Sequence, residues 1–178
     1  MDPGTIRMYA FAHFGKELRQ RISDAVGLEF GHRVDFQETY LDLSMYFDAR
    51  RRQYNGDQLL RVVGELAGPG PFKVVGLFNV DLFIPILTYI FGQAQFGGQT
   101  AIASIYRLAN ERYGIRSTAA DVQDRFIKEV IHELGHTFGL PHCHVPNCVM
   151  RSSTYVEDID QKDMGLCPSC RSLAGLAG

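Results

Sequence analysis

Residues 132–143 read HELGHTFGLPHC, and this stretch decides how the rest of the chain is interpreted. His132 and His136 are four residues apart, which on an α-helix places them about 40° apart on one face and one turn apart along the axis. Two imidazoles in that arrangement can reach one metal ion at the Zn–N distance of roughly 2.0–2.1 Å. Glu133 lies on the flank of this face, where its carboxylate can reach water at the ion without becoming a ligand. The pattern therefore predicts a metal site on a helix.

The segment that follows the helix supplies a third histidine. Gly139 permits the left-handed backbone that ends a helix and turns the chain sharply, so that His142 can return to the same ion. Three protein ligands leave a fourth position for water, which is the arrangement of a catalytic rather than a structural zinc site. Two alternatives stay open at this point. The histidines can be satisfied residues of a buried helix, or Mn, Fe or Co can occupy the site in place of zinc.

The residues before the motif alternate between strand and helix patterns. Three segments are predicted to be strands: Arg7–Phe14, His32–Tyr40 and Phe72–Asn79. Two more strands, or a hairpin around Gly97-Gly98, are expected between residues 81 and 108. Two segments are predicted to contain helices: Gly15–Val26, which Gly27 stops, and Asp48–Leu66, in which the helix starts near Asn55-Gly56. The fold class is therefore α/β (α+β) with a mixed sheet.

One long helix, at about residues 119–138, carries the motif. Thr118 precedes it and Asp121 follows three residues later, which forms a loose capping box. Apolar residues at i, i+4 spacing predict that it is mostly buried: Val122, Phe126, Val130, Leu134 and Phe138. The tail beyond it shows little regular structure except one short helix near residues 157–164. We predict one domain over residues 1–178, with an upper subdomain (1–139) and a lower subdomain (140–178).

The composition excludes several classes of protein. Apolar residues make up 46% and charged residues 21% of the chain, which excludes disordered and fibrous proteins. The net charge of −2 argues against a nucleic-acid partner, so Arg50-Arg51-Arg52 is interpreted as a solvated face. The longest apolar stretch, Val80–Phe91, is too short to cross a membrane. The N-terminal residues Met1–Gly4 lack a secretory pattern, so we expect a cytoplasmic protein without a membrane partner.

The full string HExxHxxGxxHC-x4-C-x-M-x16-C-x-x-C covers residues 132–170. It closely resembles the archaemetzincins, a family of the metzincin clan of zinc metalloproteases. The resemblance implies that Met150 is the methionine of the turn beneath the metal. It also implies a metzincin-like fold, in which the upper lobe has a mixed twisted sheet and the active-site helix. The lower lobe of such a fold is small, irregular and stabilised by zinc.

The resemblance further implies a second, structural zinc ion bound by Cys143, Cys148, Cys167 and Cys170. The residues themselves agree, because four cysteines in two short-spaced pairs match a closed site with four sulfur ligands. The segment that carries them has under forty residues and few apolar side chains, so it needs a cross-link. The alternative is two local disulfides, 143–148 and 167–170. Because His142 and Cys143 are adjacent, we expect the two metal sites to be mechanically coupled.

These residues predict a monomeric zinc-dependent peptidase, a hydrolase with two Zn²⁺ per chain that acts on a peptide or protein substrate. The catalytic zinc would lower the pKa of its bound water to about 7 and polarise the peptide carbonyl. Glu133 would serve as general base and then as general acid. The alternative is a non-catalytic, zinc-stabilised module that binds peptides or proteins. The presence of Glu133 favours catalysis.

Four further features have weaker interpretations. Ile90–Phe96 is a candidate edge strand for pairing with an extended peptide, with an interior strand as the alternative. Tyr155 is a candidate hydrogen-bond donor to the reaction, with ordinary packing as the alternative. His144 is interpreted as a surface loop residue. His13 and His32 belong to no motif and are interpreted as structural.

Overall fold

The computed structural model describes residues 4–176, so Met1–Pro3 of the predicted non-secretory N-terminus lie outside the described residues. The strands in chain order are β1 (Thr5–Ala10), β2 (Arg33–Glu38), β3 (Phe47–Asp48), β4 (Gln53–Asn55), β5 (Lys73–Phe78), β6 (Leu82–Ile84), β7 (Leu87–Ile90), β8 (Gly92–Ala94) and β9 (Thr100–Ser104). The helices are α1 (Lys16–Phe30), α2 (Gly56–Ala67), α3 (Ala119–Thr137), α4 (Val156–Asp160) and α5 (Pro168–Leu173).

A five-stranded sheet with the order β2-β1-β5-β9-β8 forms the centre of the molecule. The first four strands run parallel, and β8 pairs antiparallel with β9. Every residue of β5 and β9 is buried, as expected of parallel strands that are covered on both faces. The mixed α/β class is confirmed.

The segment at residues 81–108 contains more strands than the sequence predicted. The hairpin around Gly97-Gly98 is confirmed, because it joins β8 to β9. However, β6 and β7 form another hairpin, which pairs with β3 and β4 in a separate four-stranded sheet. The prediction of only two strands was wrong because Pro85 and Ile86 allow a tight reversal inside what reads as one apolar stretch.

Helix α1 does not stop at Gly27. The apolar stripe of Leu18, Ile22 and Val26 continues to Phe30, which is also buried, so burial holds the last turn in place. The helix ends at Gly31, which has a left-handed φ of 69° and donates its N–H to the carbonyl of Gly27. The sequence prediction placed the end four residues too early because it chose the wrong glycine as the terminator.

Two hydrophobic clusters cover the two faces of the central sheet. Helix α2 and the second sheet pack on one face, around Leu59, Val63 and Phe78. Helices α1 and α3 pack on the other face. Buried side chains of the tail, among them Val149 and Ile159, belong to this second cluster. The tail therefore has no separate core: its few apolar residues are buried against the rest of the chain.

Two short helices form the regular part of the tail. Helix α4 corresponds to the predicted helix near residues 157–164, and it is shorter. Helix α5 was not predicted, although Pro168 at its first position is a usual helix-start signal. Within residues 4–176, no helix is both long and apolar enough to cross a membrane.

Candidate active site and second metal site

Helix α3 is fixed at both ends. The predicted capping box at its start is present: the Thr118 hydroxyl accepts from the N–H of Asp121 at 3.1 Å, and the Asp121 carboxylate accepts from the N–H of Thr118 at 2.7 Å. At its end, Lys73 donates to the carbonyl of Thr137 at 2.8 Å, which places a cation at the negative end of the helix dipole. Gly97 of the β8–β9 turn donates its N–H to the carbonyl of His136. The helix is therefore tied directly to the edge of the central sheet.

The three predicted histidines meet beyond this helix end. Gly139 adopts the expected left-handed conformation, with φ 84°, and turns the chain so that His142 returns to the helix face. The ring centroids of His132, His136 and His142 lie 4.7–5.3 Å apart. One nitrogen from each ring lies within 4.8 Å of the other two.

The hydrogen bonds of two rings show that this cluster fits a cation. The Nδ1 of His132 lies 2.8 Å from the carbonyl of Val149, and the Nδ1 of His136 lies 2.7 Å from the carbonyl of Leu140. Because a carbonyl only accepts, both Nδ1 atoms carry the proton, and both Nε2 atoms present lone pairs. These two Nε2 atoms nevertheless face each other at 3.2 Å. A tetrahedral zinc site places two nitrogens about 3.3 Å apart, so an ion between them would satisfy both.

Burial sets the protonation of the residues around this point. It lowers the pKa of all three histidines, which keeps the imidazoles neutral as metal ligands must be. It also raises the pKa of Glu133, and the neighbouring Glu129 raises it further. A carboxyl group with a raised pKa is suited to taking up a proton near neutral pH.

Two glycines allow close packing around Glu133 and Met150. A Cβ built on Gly92 of β8 would lie 2.6 Å from the Cγ of Glu133 and 2.6 Å from the carbonyl oxygen of Ile102. A Cβ built on Gly135 would overlap the Sδ of Met150. Met150 is fully buried and packs directly beneath the active-site helix. Gly92 carries no local sequence signal, so the sequence did not reveal its contact with Glu133.

A cleft of 580 Å³ runs past the histidines. Strand β8 forms its upper wall and is the last strand of the central sheet, so the edge-strand prediction is confirmed for Gly92–Ala94. Ile90, by contrast, belongs to β7 of the other sheet. Residues 152–155 line the opposite side, and the hydroxyl of Tyr89 bridges to the carbonyl of Thr154 at 2.7 Å. Tyr155 lines the cleft and is largely exposed.

The four predicted cysteines also come together. The Sγ atoms of Cys143 and Cys167 lie 3.8 Å apart, and so do those of Cys148 and Cys170. A tetrahedral zinc site with Zn–S bonds of about 2.3 Å places its sulfurs about 3.8 Å apart, whereas a disulfide needs about 2.0 Å. All four cysteines are free, so the alternative of two local disulfides is wrong.

Backbone amides support the cysteine cluster. The N–H of Val145 points to the sulfur of Cys143 and the N–H of Cys167 points to that of Cys148, both at 3.4 Å. Such donors stabilise a thiolate, the form in which sulfur binds zinc. The N–H of Cys143 donates to the carbonyl of Met150 at 3.0 Å. A backbone hydrogen bond therefore connects Cys143, which follows the third histidine, to Met150 beneath the helix.

The sequence missed an ion pair behind the histidines. The side chain of Lys162 is fully buried and lies 3.6 Å from the carboxylate of Glu129, which is also buried. Glu129 lines the cleft one turn before Glu133. Glu129 lies four residues before Glu133 and is visible in the sequence. Nothing in the neighbouring sequence indicated that its partner is Lys162, which lies 33 positions later.

The remaining histidines and the arginine run do not join the site. His144 is exposed, as predicted. His32 stacks on Phe72 at 4.7 Å and has a structural role, whereas His13 is exposed. Arg51 packs over Phe83 and donates to two carbonyls of the β6–β7 turn, so this arginine supports the hairpin.

Comparison with known proteins gives a consistent result. The sequence profile of peptidase family M54 matches residues 28–174. Archaemetzincin of Haloquadratum walsbyi is 39% identical over 130 residues, which cover 71% of this chain and 74% of the relative. Archaemetzincin of Pyrococcus horikoshii is 40% identical over 125 residues, which cover 70% of this chain and 66% of the relative.

Solved structures are similar over nearly the whole chain. The crystal structure of archaemetzincin from Methanopyrus kandleri superposes with a TM-score of 0.83 at 30% identity, covering 97% of this chain and 93% of that one. Archaemetzincin from Archaeoglobus fulgidus, crystallised with malonate, gives 0.79 at 29% identity and covers 95% and 99%. The predicted metzincin-like fold is thereby confirmed.

Proposed function

Because the chain belongs to peptidase family M54, the archaemetzincins, and is a zinc metallopeptidase, we propose a role for each residue of its site. In this proposal, Glu133 moves the protons of peptide hydrolysis at a zinc site formed by three histidines. The ligands of this site are His132, His136 and His142. The observation that carries the proposal is the pair of unprotonated Nε2 atoms 3.2 Å apart, which a metal ion between them would satisfy. When bound, zinc would supply a Lewis acid that polarises the peptide carbonyl and acidifies water.

Glu133 is placed to carry protons in both directions. Its carboxylate is buried against Gly92, beside the histidines, and its raised pKa favours accepting a proton from water. Once protonated, the same group donates to the leaving amine. The close contact with Gly92 leaves the carboxylate little freedom, which favours one orientation.

Strand β8 provides the binding surface for an extended substrate. Within residues 4–176, it has no strand partner on the side away from β9. A peptide in the cleft can therefore add to the central sheet through backbone hydrogen bonds. Backbone pairing positions the scissile bond while leaving side-chain preference to the walls of the cleft.

We assign the structural role to the second metal site. Cys143, Cys148, Cys167 and Cys170 supply four sulfur ligands, which leave no position for water. The chain would then bind two zinc ions with different functions. Residues 1–139 form the upper subdomain of this proposal and residues 140–178 the lower one, with the cleft between them.

The matched pair of wild type and Glu133→Gln tests the proposal. Both proteins are incubated with a diverse peptide library, and the zinc content of each is measured. We expect about two zinc ions in each protein and a fall in kcat/KM of roughly 10²–10⁴-fold in the variant, because general acid–base catalysis contributes that much. Equal turnover in the two proteins would contradict the role of Glu133. Peptide binding without turnover in either would favour the non-catalytic alternative.

A further inference from the structure

The carbonyl of Val149 is shared by two side chains of different kinds. It accepts from the Nδ1 of His132 at 2.8 Å and from the ammonium of Lys162 at 3.2 Å. A carbonyl oxygen has two lone pairs, so both bonds can form at once. The position of this one oxygen therefore sets the orientation of the His132 ring.

Lys162 holds more than one point of the same turn. Its ammonium also donates to the carbonyl of Arg151 at 2.8 Å. These two carbonyls flank Met150, whose side chain packs beneath the active-site helix. Because an ammonium donates three hydrogen bonds from one small centre, it fixes both carbonyls relative to each other.

Glu129 completes this arrangement from the helix. Its carboxylate lies 3.6 Å from the Lys162 ammonium, and the two side chains form an ion pair. Glu129 precedes His132 by less than one turn of the same helix. A buried ammonium without a counter-charge is costly, so the glutamate keeps the lysine charged in its position.

We propose that Glu129 and Lys162 are a positioning pair that fixes the Val149 carbonyl and, through it, the His132 ring at the metal site. Neither side chain belongs to the three-histidine ligand set, and the Lys162 side chain is fully buried. The inference rests on the proposed histidine zinc site. It identifies the two residues that align His132, one of the proposed ligands of that site. Partners of this kind, one step removed from the metal, typically change metal affinity by about 10–100-fold when removed.

The test is the double variant Glu129→Gln with Lys162→Met, measured without catalysis. Removing both charges leaves the local net charge unchanged. The positive charge of Lys162 opposes a cation at the histidines, so its loss alone would strengthen zinc binding, and a weaker histidine site therefore reports position rather than electrostatics. The affinity of the histidine site is measured by chelator competition while the cysteine site stays loaded. Visible absorption of Co²⁺ reports the two sites separately, because sulfur and nitrogen ligands give different spectra. We expect a histidine site weaker by about 10–100-fold and an unchanged cysteine site.

A matched control is available on the same helix. Arg125 is buried, forms a bidentate pair with Asp160 and connects α3 to α4 without contacting the histidines. The variant Arg125→Met with Asp160→Asn removes an ion pair whose arginine is nearly as buried as Lys162 and whose aspartate is partly exposed. We expect it to lower the melting temperature while the zinc affinity of the histidine site stays within about twofold of wild type.

Three outcomes would overturn the inference. One is a histidine site of wild-type affinity in the folded double variant, and another is an equal loss at both metal sites. The third is an equal loss in the control. If the first double variant does not fold, Glu129→Leu with Lys162→Met replaces it, since apolar replacement of a buried ion pair is often neutral or stabilising. Failure of wild type to bind zinc at the histidines would instead contradict the proposed function.

Discussion

The proposed histidine site would take two of its three ligands from one helix, whereas the proposed cysteine site would take its four from loops and the short helix α5. Capping, the Lys73 contact and hydrogen bonds from His132 and His136 to backbone carbonyls hold the helical histidines in place. The cysteine segment is held instead by scattered contacts between loops: Glu29 of α1 accepts from the N–H of Leu166 and pairs with Arg171 at 2.7 Å, and several buried side chains of the tail join the core. We therefore expect the geometry of the site on the helix to depend less on its metal than the geometry of the site on loops does.

The largest effect is expected from Cys148→Ser, which attacks the loop-borne site at its buried ligand. Structural zinc contributes an apparent free energy of about 10–16 kcal/mol in zinc-finger peptides. Losing even a fraction of this free energy would unfold the tail. We expect the zinc content to fall from about two to about one per chain and residues 141–176 to lose protection from hydrogen exchange. The exposed Ser172→Ala on α5 serves as control and should change neither quantity. Retention of two zinc ions by Cys148→Ser would remove the distinction between the sites.

An intermediate effect is expected from Gly139→Ala, at the junction of the two sites. A Cβ at this position meets nothing within 4 Å, so the cost is the left-handed φ of 84° alone. That conformation costs an alanine about 1–2 kcal/mol. If the backbone shifts to relieve this strain, the position of His142 shifts with it. We expect a lower melting temperature and roughly tenfold weaker zinc binding by the histidines.

Gly31→Ala is the matched control for that change. Gly31 also has a left-handed φ, of 69°, with nothing within 4 Å, but it ends α1 rather than the active-site helix. It should lower the melting temperature by a similar amount and leave zinc binding intact. An equal loss of zinc affinity in both variants would show that general stability, not the position of His142, governs the site.

The smallest effect is expected from Thr118→Ala, which removes the cap of α3. Loss of an N-cap side chain costs about 1 kcal/mol, which shifts the melting temperature by about 2–4 °C in a chain of this size. Asn55→Ala, which removes the cap of α2, should lower the melting temperature equally. Neither change should alter the metal content. A fall in zinc binding in Thr118→Ala alone would show that the histidine pair is less firmly formed than the structure indicates.

The local part of this architecture was readable from the sequence. The spacing of His132 and His136, the cap at Thr118 and the turn at Gly139 are rules of a single helix, and each holds in the structure. Burial likewise explains the misplaced end of α1, because Phe30 extends the apolar stripe past Gly27. Where neighbouring residues decide the outcome, sequence was sufficient.

Features that join distant segments were not readable. The pair of Glu129 and Lys162, and the contact of Gly92 with Glu133, exist only because the sheet edge and the tail reach the same helix. A lone buried lysine and a glycine in a short strand have many ordinary explanations. The second sheet escaped prediction for a related reason, since β6 pairs with β4, which lies far back in the chain on the other side of α2.

The strand order of the central sheet also has a consequence for synthesis. All five of its strands are complete by Ser104, whereas the first proposed metal ligand is His132. A domain generally folds as a unit, and its N-terminal part emerges first during synthesis. The histidines can come together only after α3 has packed on the sheet and the tail has been translated, so we expect metal loading to be the last step of biogenesis rather than its nucleus.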